Sequence, residues 1–198
     1  MKAEALRLSE GYFERIWGGR KLETELGKPL PPEKPYGEAW LVSDHAECVS
    51  SVTDGPLKGQ SLHQLLKDDP EALLGAKGKP TVHGQFPLRL KILDAADYLS
   101  VQVHPNDDDA ARLGEPDVGK TEMWYVLDAE PGAELICGMP PEVTPEQFKE
   151  ALETKQLGEI LTRFPVEAGS AVFVPAGTVH AIGPGVLLAE IQQNSNIT

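Results

Sequence analysis

Short segments of two-residue alternation, punctuated by Gly and Pro, constrain this chain more than any other feature of its sequence. Leu88-Arg89-Leu90-Lys91-Ile92-Leu93 alternates apolar and charged side chains and predicts a strand. Residues 37–43 and 48–53 predict a strand and its return, with no strict two-residue turn between them. Residues 119–127 and 186–193 predict two more. Residues 169–183 read as strand, tight turn and second strand, with Pro175 fixing φ and Gly177 allowing a positive one. Helical signals are fewer. Ser61 and Gln64 form a capping-box pattern that opens a helix running toward Gly75. Residues 106–114 start acidic and end in Gly, which suits a short helix. Thr144-Pro145-Glu146-Gln147 opens a helical region with Gly158 as its break. Strands recur, helices interrupt them, and no βαβ alternation is present. The pattern predicts a mainly β chain, an antiparallel barrel of the jelly-roll kind with helices inserted near 61–75 and 144–163.

The 198 residues suffice for one sizeable domain, so residues 1–198 are read as a single unit. No apolar run reaches the length of a membrane span, and the opening Met1-Lys2-Ala3-Glu4-Ala5-Leu6-Arg7 is too charged for a signal peptide. Cys48 and Cys137 stand far apart, so no disulfide framework is indicated and a reduced, cytoplasmic location is expected. A net charge of −13 argues against nucleic acid as a partner. It also means that an anionic substrate would need local cations to hold it.

The polar residues on the predicted strands carry the chemistry. In Leu99-Ser100-Val101-Gln102-Val103-His104-Pro105, read as a strand, Ser100, Gln102 and His104 share one face, while Leu99, Val101 and Val103 take the packing face. Glu122 shares a face with Lys120 and Trp124 on a strand of apolar and aromatic neighbours. There a carboxylate is costly to bury unless it is paired or metal-bound. The 175–177 turn presents His180, and the last strand puts Glu190 and Gln192 on one face. Arg15 and Arg20, which bracket Trp17-Gly18-Gly19, read as solvated arginines on a plain loop. His63 sits in the first turn of a surface helix, and His45 and His83 read as solvated. The acidic run 107–109 lacks the Gly and terminal Glu of a calcium loop.

In a barrel the inward residues of several strands converge on one point. Gln102, His104, Glu122 and His180 would then form a nitrogen/oxygen donor set without thiolates, suited to Zn²⁺ and tolerable to Mn²⁺, Co²⁺ or Fe²⁺. The plain alternative is four unrelated polar residues on strands.

The spacing Gly169-x5-Pro175-x-Gly177-x2-His180 resembles the second cupin motif, and Gln102-x-His104 followed by Glu122 resembles the first with its opening His replaced by Gln. Arg15-Ile16-Trp17-Gly18-Gly19, Gly37-Glu38-Ala39-Trp40, the 99–105 stretch, Gly119 to Tyr125, Pro175 to Gly183 and Glu190 to Ser195 resemble, in order, the class I zinc mannose-6-phosphate isomerases in their short bacterial branch. That resemblance implies a cupin-type jelly-roll and one Zn²⁺ per chain held by Gln102, His104, Glu122 and His180. It also implies interconversion of mannose 6-phosphate and fructose 6-phosphate through a cis-enediol. Glu190 would be the proton carrier, and Lys120 and Ser100 would help hold the sugar phosphate, with Lys120 also acting in catalysis. The family continues past Gln-Asn-Ser to an Arg regarded as catalytic, whereas this sequence ends at Asn196-Ile197-Thr198. A zinc cupin that binds sugar phosphate with little turnover is therefore the alternative, ahead of an epimerase or dioxygenase. Oligomeric state is not readable.

Overall fold

The computed structural model describes residues 5–198; residues 1–4, part of the charged opening counted against a signal peptide, lie outside the described residues. In chain order the first half runs β1 (Gly11–Gly19), α1 (Lys21–Thr24), β2 (Tyr36–Val42), β3 (Asp44–His45), β4 (Cys48–Val49), α2 (Leu62–Asp68), α3 (Pro70–Leu74), β5 (Leu88–Ala95) and α4 (Asp107–Leu113). The second half runs β6 (Glu122–Ala129), β7 (Glu134–Cys137), α5 (Pro145–Glu153), α6 (Leu157–Ile160), β8 (Arg163–Pro165), β9 (Ala171–Val174), β10 (His180–Ile182) and β11 (Val186–Gln193). The chain is mainly β and its sheets are antiparallel. β1-β2-β5-β11-β6-β9 form a six-stranded sheet, β10-β7-β8 a three-stranded one, and β3-β4 a hairpin.

One face of the large sheet carries two different kinds of residue. At one end Leu93, Trp124, Val126, Val186 and Leu188 pack against Leu135 and Ile182 of the small sheet. Each fully buried aliphatic side chain there contributes about 1.5–3 kcal/mol relative to exposure. At the other end the same strands carry Lys91, Glu122, Glu190 and Gln192, all buried. The opposite face packs Ala39, Ile92 and Leu187 against Leu22 of α1 and Leu30. Strand alternation alone assigns these faces: Met123 and Tyr125 of β6 are exposed, while Glu122 and Trp124 between and beside them are not.

Several expectations are corrected. The helix predicted over 61–75 is split, because Pro70 cannot continue α2 and Asp69 caps α3 anew by accepting from Ala72 N–H at 3.2 Å. Ser61 caps α2, but Gln64 donates to Asp68 at 2.7 Å, so the box does not close. The capping box at Thr144 does close. α5 ends at Glu153, and beyond its Thr154 cap Lys155 turns into the left-handed region at φ 60°, with Gln156 N–H bonded back to Ala151 O at 2.8 Å. The break is therefore there rather than at Gly158, and β8 begins at Arg163, inside the predicted helical span.

Residues 99–105 are extended but form no regular strand. Their backbone pairs with β10 only at the Gln102–His180 bridge and through Leu99 N–H to Ile182 O. Their facing also differs from the expected one: Val101 and Val103 are 43% and 50% exposed and His104 is buried, while Leu99 packs against the core and Ser100 is exposed. Residues 48–53 give the two-residue β4 and single bridges at Ser51 and Val52 rather than one strand, and β4 joins β3 across Ala46-Glu47 by a tight turn that the sequence reading did not find. Residues 169–183 are not a hairpin: β9 joins β6 in the large sheet and β10 joins β7 in the small one. The Pro175–Gly177 turn, with Gly177 at φ 84°, carries the chain between sheets, and Gly177 N–H binds His104 O at 2.7 Å. Gly18 and Gly19 end β1 rather than forming a loop. His45 is buried, its Nε2 3.5 Å from Asp117.

Candidate metal centre and cavity

Three elements deliver three buried side chains to one point. Glu122 opens β6, held in register between Gln192 of β11 and Val174 of β9. His180 opens β10, and His104 ends the extended segment bridged to it. The ligand atoms of His104, Glu122 and His180 all lie within 4.8 Å of one another. His104 Nε2 is 3.4 Å from Glu122 Oε1, and His180 Nε2 is 3.7 Å from Glu122 Oε2. None of the three residues is more than 2% exposed.

Hydrogen bonds orient this group. With Nδ1–H donating to Thr178 O at 2.8 Å, His180 keeps its lone pair on Nε2, and that buried atom has no hydrogen-bond partner among the described residues. An imidazole fixed through one nitrogen with the other left open is the arrangement of a metal ligand. Burial lowers the His180 pKa, which favours the neutral form a ligand must have. Burial works in the opposite direction on Glu122, but the His104 hydrogen bond and the Lys120 ammonium outweigh it and hold the carboxyl below its usual range. Trp124 Nε1 donates to Glu122 Oε2 at 3.1 Å and reaches Glu190 Oε2 at 3.3 Å. Lys120 Nζ lies 2.8 Å from Glu122 Oε1 and 3.1 Å from His104 Nε2. Two imidazoles and a carboxylate, dry and oriented, fit a divalent ion of the zinc class.

A cavity of about 390 Å³ opens beside this group, with Gln102, Ser100, Lys120 and Glu190 in its wall. His104, Glu122 and His180 lie behind this wall rather than in it, with Lys120 in contact with both the cavity and Glu122. The structure therefore brings together His104, Glu122, His180 and Lys120, and sets Gln102, Ser100 and Glu190 on the adjoining wall.

The sequence reading missed part of the wall. Glu190 Oε1 faces Lys91 Nζ at 3.3 Å, Lys91 reaches Glu38 Oε2 at 3.7 Å, and Glu38 Oε1 accepts from Arg15 Nε at 2.8 Å. Trp40 Nε1 donates to Glu38 Oε2 at 2.6 Å. Burial raises the Glu38 pKa, but the Lys91 charge, the Trp40 indole and Arg15 together bring it below its ordinary value. A signal was present in β5, where alternation puts Arg89 and Lys91 on the face of Leu93. A charge on a core-facing position of a strand points to a polar cavity or a buried partner. Beneath the cavity Arg89 is fully buried, stacked 4.2 Å from the Trp40 ring and bonded to Asn194 and Asn196.

The family described as phosphomannose isomerase type I, catalytic domain, matches residues 5–136. A Bacillus subtilis relative named "Probable mannose-6-phosphate isomerase GmuF" is 45% identical over 98% of this chain and 59% of its own length. The mannose-6-phosphate isomerase of Streptococcus mutans is 42% identical over 99% of this chain and 60% of its own. A crystal structure of the mannose 6-phosphate isomerase from Bacillus subtilis superposes with a TM-score of 0.88 at 34% identity, covering 97% of this chain and 59% of that one. The chain thus spans 59–60% of the length of these curated relatives.

Proposed function

Because the chain belongs to the type I phosphomannose isomerase family, we propose that it carries the site of a zinc-dependent aldose–ketose isomerase interconverting mannose 6-phosphate and fructose 6-phosphate. In this reading residues 1–198 are one cupin-like catalytic unit, a jelly-roll with helical insertions, working in the reduced cytoplasm, to which two free cysteines are suited. One Zn²⁺ is held by His104, Glu122 and His180, with the Gln102 amide oxygen as a fourth, weaker ligand. The observation that carries the proposal is the buried His104–Glu122–His180 group, with its open His180 Nε2, set against a charged cavity.

A bound Zn²⁺ supplies a Lewis acid that polarises the sugar oxygens. The chain's own residues do the rest. Moving a proton between C1 and C2 needs a base that touches the sugar, and the Glu190 carboxylate is in the cavity wall, oriented by Lys91 and Trp124. Lys120, with Ser100, meets the substrate's oxygens, and its ammonium stabilises charge that develops on them. Trp17, Trp40 and Leu93 add apolar surface to the same wall.

The test is a coupled assay of mannose 6-phosphate turnover on zinc-loaded protein, with and without chelator. Turnover that chelation abolishes and zinc restores supports the reading. Tight zinc binding with no turnover overturns it in favour of a sugar-phosphate-binding module.

A further inference from the structure

β1 turns Arg15 and Trp17 toward the cavity and leaves Ile16 99% exposed. A strand that faces a cation inward and an isoleucine outward has reversed the usual partition. The neighbouring strand is shaped for this. A Cβ on Gly37 of β2 would stand 2.5 Å from the Trp17 ring and 2.7 Å from Arg15 Cβ, so the two side chains lie across bare backbone. The Arg15 guanidinium is then set by Nε donating to Glu38 Oε1 at 2.8 Å, by Nη1 donating to Glu14 O at 3.1 Å, and by the Phe13 ring 5.4 Å away.

Among the described residues three cations line the cavity, and they are not equivalent. Lys120 is engaged by Glu122 and His104, and Lys91 is enclosed between Glu38 and Glu190. Arg15 is 35% exposed and touches its carboxylate through Nε alone, while Nη2 makes no hydrogen bond among the described residues. A planar fork with a free edge is the geometry that receives a phosphate monoester by paired hydrogen bonds. On a chain of net charge −13, a dianion needs such a local cation.

Resting on the isomerase reading of this same cavity, we infer that Arg15 receives the phosphate end of the sugar phosphate, with Glu38 holding its guanidinium in place. The contacts Glu190–Lys91, Lys91–Glu38 and Glu38–Arg15, at 3.3, 3.7 and 2.8 Å, separate the phosphate end from the carboxylate assigned to the proton transfer. A hexose 6-phosphate likewise has its phosphate and its C1–C2 bond at opposite ends.

The test is calorimetric titration of the zinc-loaded chain with mannose 6-phosphate, unphosphorylated mannose and inorganic phosphate. Arg15→Ala is expected to weaken mannose 6-phosphate and inorganic phosphate by about ten- to hundredfold and to leave mannose unchanged. Arg15→Lys recovers part of the loss. Arg20→Ala, whose guanidinium is held by Glu23 and by the carbonyls of Pro31 and Lys34, changes nothing. Wild-type affinity for both phosphate compounds in Arg15→Ala overturns the assignment and leaves the isomerase reading standing. Should Arg15→Ala lose its native near-ultraviolet circular dichroism, Arg15→Lys decides, and full phosphate affinity in it overturns the assignment. A wild-type chain that binds zinc but neither phosphate compound overturns the isomerase reading and the inference together.

Discussion

Glu190 of β11 and Lys91 of β5 stand directly opposite in register, their charged atoms 3.3 Å apart and their side chains 5% and 9% exposed. A buried pair of this kind adds little net stability when intact, yet is costly to break, because the surviving charge keeps its desolvation penalty. Here the cation is shared, since Lys91 also faces Glu38.

Lys91→Met is expected to destabilise the chain by about 3–5 kcal/mol, because two buried carboxylates lose their common cation. Denaturant unfolding measures this. Adding Glu190→Gln to Lys91→Met should return part of the loss, and strictly additive effects would argue against a coupled pair.

Glu190→Gln keeps the shape of the side chain and removes its base. In turnover of mannose 6-phosphate it should lower kcat by about 10²–10⁴. Retained kcat would take Glu190 out of the proton transfer.

His180→Ala removes a ligand whose tautomer Thr178 sets. Metal analysis should find one zinc per wild-type chain and close to none in the variant. Free zinc at a hundred times its Kd should stabilise the wild type by about 2.7 kcal/mol and leave His180→Ala unmoved in thermal unfolding.

Glu38 governs part of the acid limb of stability. Its folded-state pKa lies below the ordinary carboxylate value, so the unfolded chain binds the proton more readily. Its contribution is present above the ordinary value and is lost as pH falls through the lowered one. Glu38→Gln should therefore flatten the pH dependence of unfolding below about pH 4.5, the ordinary glutamate value. An unchanged acid limb would refute this.

Gly37→Ala places a methyl group 2.5 Å from the Trp17 ring. It should cost about 1–3 kcal/mol in unfolding experiments, whereas Ile16→Thr, at a fully exposed position, should stay within about 0.5 kcal/mol. Equal effects at the two positions would contradict the facing of β1.

Local rules were readable wherever a residue's neighbours in sequence decide its conformation. The alternation of 88–93 appears as β5 and that of 186–193 as β11. The N-caps at Ser61 and Thr144 form where their spacing predicts. β6 turns Glu122 inward beside Trp124, as period-two side-chain geometry requires. The failures lie where partners distant in sequence decide. Residues 99–105 have strand composition, yet they make only bridge-level contact with β10, and their valines face outward. Arg15 reads as a solvated arginine until Glu38 and Gly37 are seen beneath it.

By itself the sequence determined which residues alternate, where helices start, and which nitrogen and oxygen donors were available to a metal. Those follow from φ/ψ preferences and side-chain period, which act over a few residues. Only the tertiary structure decided that β9 and β10 belong to different sheets, that Lys91 faces Glu190, and that Arg15 enters the cavity. Strand partnership and register depend on burial shared between segments far apart in the chain, and no local pattern encodes which strand lies opposite.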